Sequence, residues 1–232
     1  MKLRMQITKE KGIRFVSHLE YMRTIERAMR RAKLPVAYSE GFNPHMKFSL
    51  ASALGVGITS KAEFLEIELA QEIELESALE KVKLALPLGI HIKAADIVDN
   101  KTPKLMASAA GADYLVQVPC AQACAEELHK FNAAVSVLFQ KPIPKGRGKT
   151  KEIEVKNFIT RVDGNFNNNN LELKFSCKIT PTGSMKATEL LKILRDQFAL
   201  PILLEQADIE RTNLYGVNAK GEKRALIGDN NF

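Results

Sequence analysis

Residues 2–35 read KLRMQITKEKGIRFVSHLEYMRTIERAMRRAKLP, and this stretch decides the fold of the first half of the chain. Residues 2–8 alternate polar and apolar side chains, which predicts a half-buried strand. The segment Ser17-x-x-Glu20 has the pattern of a capping box, in which the serine hydroxyl accepts a hydrogen bond from the amide three residues on. It begins a predicted amphipathic helix, so the stretch predicts a strand followed by a helix. The apolar positions of that helix are Leu19, Met22, Ile25 and Met29.

The residues that follow extend this pair to a longer order of elements. Strand patterns at 47–54 and 62–70 precede a helical pattern at 75–86 and a strand pattern at 89–99. The order β-α-β-β-α-β is typical of a ferredoxin-like unit, in which two helices pack on one face of a four-stranded antiparallel sheet. Residues 1–99 are therefore predicted to form one such unit.

A similar order of elements returns in the second half of the chain. Residues 100–112 are predicted to be a linker, 113–217 a second ferredoxin-like unit that includes one long strand at 151–162, and 218–232 a flexible tail. The two halves share the order of elements but no repeat of residues. The predicted fold is α+β, with two tandem ferredoxin-like (βαββαβ) units that have antiparallel sheets.

The positive charge of the chain is concentrated in two places. Of 34 Lys and Arg and 27 Asp and Glu, the first 50 residues hold 11 basic and 4 acidic side chains, so all of the formal net charge of +7 arises there. Residues 141–161 hold a second concentration, with 7 basic and 2 acidic side chains. Charge gathered in this way favours a polyanionic partner, although a basic solvated surface is the alternative interpretation.

The composition also argues against several classes of protein. No apolar run approaches the roughly 20 residues that a membrane-spanning helix needs, so we expect no membrane partner. The N-terminus lacks the apolar centre of a signal peptide, and three cysteines do not form a secreted disulfide framework, so we expect a cytoplasmic protein. No motif for a nucleotide or a cofactor is present, and no cofactor is expected.

The predicted helix and the loop that follows it, YSEGFNPHMK (38–47), favour single-stranded RNA as the polyanion. The helix carries arginines three and four residues apart, so they are neighbours on its surface. Arginine suits phosphate because its planar fork donates two parallel hydrogen bonds. The loop adds aromatic, amide, imidazole and ammonium groups on a chain stiffened by proline. The predicted RNA-binding residues are Arg23, Arg27, Arg30, Arg31, Tyr38, Ser39, Phe42, Asn43, His45 and Lys47, together with Lys145, Arg147, Lys149 and Lys151 of the second basic segment.

Two histidines are the candidates for catalysis, but the sequence shows no acidic partner for either of them. His18 stands at the start of the helix and His45 in the loop, and each would be a general acid or base in a ribonuclease. Cys120 and Cys124 have helical spacing, but structural zinc sites use four ligands. No metal site is predicted, and no catalytic residue is assigned beyond the two histidines.

The stretch from Arg14 to Leu50, followed by AEFLEIEL (62–69), resembles the radical-SAM-linked protein family. The resemblance covers nearly the whole chain, is specific over residues 13–69 and matches only in outline beyond them. Two departures are visible: the family often has His-Pro-x-Pro-Lys where this chain has Asn-Pro-His-Met-Lys, so one proline is lost, and it commonly has a proline-containing run where this chain has ASALGVG (51–57). The matching positions are Ser17, His18 and Leu19; Glu26, Arg27, Arg30 and Arg31; Tyr38, Ser39, Gly41 and Phe42; and Pro44, His45 and Lys47.

The resemblance implies a domain of unknown function found beside or fused to cobalamin-binding radical-SAM proteins, and in some bacteria joined to an E/G-type ribonuclease. The radical chemistry would belong to the partner, because this chain lacks a C-x-x-x-C-x-x-C motif. Three hypotheses therefore remain. The first is a non-catalytic RNA-binding accessory module acting with RNA-processing or RNA-modifying enzymes. The second is a protein-docking subunit of a radical-SAM enzyme, and the third is a metal-independent ribonuclease.

Overall fold

The computed structural model describes residues 1–143, 148–181 and 183–228. The fold is mixed α+β with mostly antiparallel sheet, as the sequence predicts at this level. The chain divides into two compact units. Unit 1 comprises Met1–Ala110 and Arg211–Phe232, and unit 2 comprises Gly111–Glu210.

Unit 1 is built around strand β1, which pairs antiparallel with β3 on one side and β4 on the other. The short strand β2 pairs with the C-terminal part of β3, so the strand order is β4-β1-β3-β2. Near the end of the chain, β12 pairs with the last residues of β11. The elements are β1 (Lys2–Lys9), α1 (His18–Arg31), β2 (Phe48–Leu50), β3 (Ile58–Glu68), α2 (Leu75–Ala85), β4 (Ile92–Val98), α3 (Leu105–Ser108), β11 (Asp208–Val217, which begins in unit 2) and β12 (Lys223–Arg224).

The core of unit 1 lies between its sheet and the helices α1 and α2. Leu3, Met5 and Ile7 alternate along β1 and are buried against apolar side chains of both helices, such as Ile25 and Leu79. Each fully buried side chain of this size contributes roughly 1.5–3 kcal/mol. The apolar side chains that alternate in the sequence thus form the face of the sheet that the helices cover.

The opposite face of β1 carries a buried ion-pair network. Arg4 donates two hydrogen bonds to Glu66, at 2.9 and 2.7 Å, and Lys2 Nζ lies 3.9 Å from the same carboxylate. The backbone N–H of Leu105 also donates to Glu66 (3.3 Å), and Lys2 donates to the carbonyl of Thr102 (2.8 Å). These bonds hold the segment after β4 against the sheet.

The structure divides the chain at different residues from the predicted ones. The predicted linker, 100–112, contains the fully buried Leu105 and the start of β5, and the predicted tail, 218–232, contains the buried residues Leu226 and Ile227. In the predicted linker the partner is distant in the chain, because the N–H of Leu105 donates to Glu66. In the predicted tail, the short strand β12 pairs with the end of β11.

Unit 2 centres on β9, which pairs antiparallel with β5, β8 and the short β10. Strands β8 and β9 form a hairpin whose turn residues, Asn168 and Asn169, have φ values of 50° and 56°. Two left-handed residues define the type I′ turn that suits a two-residue hairpin, and asparagine tolerates this conformation well. The elements are β5 (Gly111–Pro119), α4 (Ala125–Ala133), β6 (Leu138–Pro142), β7 (Thr150–Glu154), β8 (Val162–Asn167), β9 (Asn170–Thr180), β10 (Gly183–Ser184) and α5 (Ala187–Phe198).

Two local predictions need correction. The predicted strand at 151–162 is two elements: β7 pairs with β6 as a separate two-stranded sheet, and β8 begins only at Val162. In α1 the buried side chains are Tyr21, Ile25, Ala28 and Met29, whereas Leu19 is 60% exposed. Tyr21 takes the inner position because its hydroxyl donates to the buried carbonyl of Thr8 at 2.9 Å.

Candidate nucleic-acid interface

Helix α1 presents three arginines on its exposed surface because its other face is fixed on the sheet. Ser17 is the N-cap, and its side chain accepts from the N–H of Glu20 at 3.2 Å, which orients the first turn. Arg23, Arg27 and Arg30 lie on the surface and are called the arginine ridge below. Their side chains are 52–60% exposed.

The arginine ridge is paired with carboxylates of the same helix. Arg23 Nη1 lies 2.5 Å from Glu20, and Arg27 Nη2 lies 3.9 Å from the other oxygen of that carboxylate. Arg30 Nη2 lies 2.7 Å from Glu26, and this hydrogen bond raises the pKa of the Arg30 guanidinium above its usual value. Exposed pairs of this kind are weak because solvent screens them, so a phosphate can replace the carboxylate at little cost.

Arg31 does not belong to the ridge. Its Nη2 donates to the backbone carbonyl of Ala85, at the end of α2, with a distance of 2.7 Å. It forms no ion pair with the residues that the structure describes. Of the four arginines predicted as one phosphate-binding group, three therefore lie on the ridge and one is directed toward α2.

The loop after α1 is closed by its own backbone. Tyr38 and Met46 form an antiparallel bridge, and the N–H of Ser39 donates to the carbonyl of His45 at 2.8 Å. The Ser39 hydroxyl accepts from the N–H of His45 at 2.9 Å, so this side chain is occupied within the loop. Gly41, with a φ of 113°, turns the chain at the tip.

The loop tip leaves an aromatic ring in the solvent. Phe42 is fully exposed, and Asn43, Pro44 and His45 are exposed beside it. The aromatic ring thus has the accessibility that stacking on a base requires.

One contact joins the loop to the arginine ridge. The guanidinium of Arg30 lies over the ring of Tyr38, with 5.7 Å between the guanidinium carbon and the ring centroid. Lys47, in contrast, pairs with Glu68 on β3 at 3.7 Å. The ridge and the start of the loop therefore share one surface, whereas the Lys47 ammonium is directed to the sheet.

The two candidate catalytic histidines lie on the surface without a visible acid–base partner. His18 and His45 are exposed, and no carboxylate of the described residues lies within ion-pair distance of either imidazole. In the described part of the chain, no three His, Cys, Asp or Glu side chains are grouped so as to hold a metal ion. Cys120 and Cys124 are buried with their sulfur atoms 3.7 Å apart.

The second predicted basic segment belongs to unit 2. Lys145 and Arg147 lie outside the described residues. Lys149 and Lys151 are exposed on or beside the hairpin of β6 and β7, where Lys151 faces Lys141 across the two strands. Lys141 itself pairs with Glu189 at 3.0 Å.

Two lysines that no sequence pattern predicted gather near Arg31. Lys33 and Lys81 line, with Arg31, a cleft of about 430 Å³ at the ends of α1 and α2. Lys81 is 50 residues from Arg31 in the chain, so no local pattern signals the group. The sequence predicts only that Lys81 is exposed on an amphipathic helix. Exposed lysines are too common on such helices to indicate a site.

Comparison with known proteins places this α+β chain in a family. The chain belongs to DUF2344, a family described as uncharacterized proteins conserved in bacteria, whose model matches residues 2–191. No curated protein matches the chain significantly.

Two solved structures show weak likenesses. One is a chain of a Cbf5–Nop10–Gar1 complex, with 6% identity over 84% of this chain and 45% of that chain and a TM-score of 0.48. Another is an unknown protein from Galdieria sulphuraria, with 12% identity over 94% of this chain and 98% of that chain and a TM-score of 0.24. At these scores neither likeness carries an argument about function. Within the described residues, no helix is both long and apolar enough to cross a bilayer.

Proposed function

We propose that this chain is a cytoplasmic, non-catalytic RNA-binding module that acts with RNA-processing or RNA-modifying enzymes. The observation that carries the proposal is the contact of Arg30 with Tyr38, because it brings the arginine ridge and the aromatic loop to one surface. Phosphates would meet the guanidinium groups, and bases would stack on the aromatic rings.

The charge of α1 supports the phosphate part of this proposal. The helix holds four arginines and two glutamates, which leaves a net charge of +2. Its carboxylates are partly exposed, so the phosphate does not have to break a buried ion pair. Exchanging an exposed carboxylate for a phosphate keeps each guanidinium hydrogen-bonded throughout.

The exposure of the loop supports the base-stacking part. Phe42 has no contact that buries its ring, and Tyr38 is 41% exposed with Arg30 beside it. Stacking of one base on an aromatic side chain is worth about 1–3 kcal/mol. A loop closed by its own hydrogen bonds pays little ordering entropy when a base binds.

The experiment is a titration of a single-stranded RNA at several salt concentrations. Replacing Arg23, Arg27 and Arg30 with alanine removes three phosphate contacts, so the slope of log affinity against log salt should flatten by about 2. Replacing Phe42 with alanine should weaken binding with the slope unchanged, because no charge is lost.

The matched control removes three ion-paired cations from unit 2. Lys130, Arg161 and Arg195 are exposed and each pairs with a nearby carboxylate, so their replacement by alanine makes the same change in charge. An equal loss of slope in both triple variants would show general attraction and would contradict a site on α1.

We propose that each unit is ferredoxin-like. The order β4-β1-β3-β2 with antiparallel neighbours supports this in unit 1, and the antiparallel set β5-β9-β8 supports it in unit 2. An experimental structure that pairs β2 with any strand other than β3 would contradict it for unit 1.

A second candidate function is docking onto a cobalamin-binding radical-SAM protein or an E/G-type ribonuclease. The observation that favours docking is a set of exposed apolar side chains: Phe15 before α1 is 74% exposed, Leu19 at its start 60%, and Val56 before β3 56%. The backbones of Arg14 and Gly57 are hydrogen-bonded, which brings the segments of Phe15 and Val56 together. Recovery of such a partner from nuclease-treated lysate, and its loss with Phe15→Ser and Leu19→Ser, would favour docking over RNA binding.

Cleavage of RNA is not proposed, because neither exposed histidine has an acidic partner among the described residues. Cleavage by the pure protein that disappears with His45→Ala while binding persists would reverse that judgement.

A further inference from the structure

A cleft in unit 1 gathers three cations where α1 and α2 end. Its volume is about 430 Å³, which falls in the range of ligand-binding pockets. Its lining residues are Arg31, Ala32, Lys33, Lys81, Leu84 and Ala85.

The cations of this cleft are not neutralised by the protein. None of the lining residues is acidic, and Arg31 is held by a neutral carbonyl instead of a carboxylate. Lys33 and Lys81 form no ion pair with any described residue. The arginine ridge differs in this respect, because each of its guanidinium groups already has a carboxylate.

Helix stabilisation alone does not explain the three charges. A cation near a helix C-terminus interacts favourably with the last carbonyl groups, and Arg31 does this at Ala85. Lys33, however, lies beyond the C-cap of α1 with a φ of 52°, in the left-handed region where glycine is the residue without strain. A lysine at this position keeps a cation beside the cleft at a cost in backbone energy.

The other three lining residues, Ala32, Leu84 and Ala85, are apolar. Leu84 is 90% exposed, although it stands in a helix whose inner face has apolar side chains in the core. A ligand that combines an anion with a flat or apolar body matches both the cations and this side chain.

We propose that this cleft binds one phosphate of an RNA strand through Arg31, Lys33 and Lys81, with the adjoining nucleoside against Leu84. The inference rests on the proposed RNA-binding function and adds a second phosphate site to the arginine ridge. Arg31 links the two, because it follows Arg30 in the chain and is directed toward α2.

The test uses the full chain and a short oligouridylate followed by amide NMR. The amide signals of Ala32, Lys33 and Leu84 should shift on titration. The variant Lys33→Gln with Lys81→Gln should bind about tenfold more weakly and lose up to about 0.7 from the salt slope, since the cleft neutralises one phosphate of a single strand. Arg31 is left intact so that its hydrogen bond to Ala85 persists.

Two further variants separate the causes. Leu84→Ala should weaken binding about fivefold with the salt slope unchanged, because it removes apolar contact and no charge. Lys83→Gln with Lys101→Gln is the matched control, since both lysines are exposed and neither lines the cleft. This control should retain most of the affinity.

The outcomes distinguish the inference from the proposed function. If the oligonucleotide binds but the Lys33 and Lys81 variant behaves like the control, the cleft is not a phosphate site and RNA binding by the ridge stands. If no oligonucleotide binds to the natural sequence, the proposed function and this inference both fail.

Discussion

The two units differ in where they place their charges. Among the described residues, the buried charged side chains all belong to unit 1, whereas the buried side chains of unit 2 are apolar or cysteine. The buried charges are Lys2, Arg4, Lys9, Glu63, Glu66 and Arg211. Unit 1 is therefore held together by apolar packing and by buried ion pairs, and unit 2 by apolar packing.

The first helices of the two units show the same difference on the surface. Both α1 and α4 follow the first strand of their unit and bury one face, with Phe131 of α4 packed edge-on against Phe198 at 5.3 Å. The exposed part of α1 carries the arginine ridge, whereas α4 has two glutamates and one lysine. Similar positions in the order of elements therefore do not imply similar partners, and the proposed binding function rests on the side chains of unit 1.

The largest expected effect tests the buried ion pairs of unit 1. Glu66→Gln leaves Arg4 and Lys2 buried without their carboxylate, and breaking a buried pair in this way costs about 3–5 kcal/mol. Urea unfolding followed by circular dichroism measures the loss, since the chain has no tryptophan for fluorescence. Glu172→Gln in unit 2 is the control, because Glu172 pairs with the exposed Lys174 and should change stability little. A similar loss in both variants would remove the contrast between the units.

A smaller effect is expected from alkaline pH in unit 1. Burial raises the pKa of the Tyr21 hydroxyl above its usual 10.0, with the charge of Glu63 as the second cause. The unfolded chain then loses this proton at lower pH than the folded chain, so the stabilising contribution is complete below about pH 10 and decreases above it. At neutral pH, Tyr21→Phe should lower the free energy of unfolding by about 1 kcal/mol, because the hydrogen bond to Thr8 is lost.

Denaturant unfolding from pH 8 to 11 gives the measurement for Tyr21. The decline of stability above pH 10 should be less steep in Tyr21→Phe than in the natural sequence. Equal declines would show that Tyr21 ionises as easily in the folded protein as in the unfolded chain. The contribution of Lys9 to the pH dependence of stability has the opposite sign, because burial lowers the pKa of its ammonium. The comparison is therefore made between variants at each pH.

The stability of unit 2 should decrease at acidic pH because of Glu154. Hydrogen bonds from the Ser136 hydroxyl and from the N–H groups of Val137 and Lys156 lower the pKa of this carboxyl. Its stabilising contribution is present above its usual pKa of 4.5 and is lost as the pH falls through the lowered value. As the pH falls, the stability of Glu154→Gln should decrease less steeply than that of the natural sequence. Hydrogen exchange at Val137 monitors this decrease. Identical acid profiles would contradict this role.

The smallest expected effect concerns the asparagine turn of unit 2. Asn169 has a φ of 56°, and glycine is the preferred second residue of a type I′ turn. Asn169→Gly should therefore raise the free energy of unfolding by less than about 1 kcal/mol, because relief of the left-handed strain exceeds the entropy that glycine adds to the unfolded chain. Urea unfolding measures the change. Asn165→Gly, within β8, is the control and should be destabilising.

Several features of the molecule followed from local sequence. The Ser17 cap and the alternation of Leu3, Met5 and Ile7 predicted α1 and β1 because capping and period are properties of neighbouring residues. The exposed arginines followed from helical spacing for the same reason. The burial of Tyr21 in place of Leu19 did not follow, since a polar hydroxyl argues against a core position and only its partner on β1 satisfies that hydroxyl.

The mixed class of the fold, most of the helices and strands and the basic character of the first 50 residues thus follow from local sequence. Three features arise only when the chain folds: residues 100–110 belong to unit 1, Arg31 turns to α2, and Lys33 and Lys81 join it at one cleft. The physical reason is the range of the interactions: turns, caps and periodicity depend on residues within about one helical turn, whereas these contacts join residues that are distant in the chain and meet only after the sheet has formed.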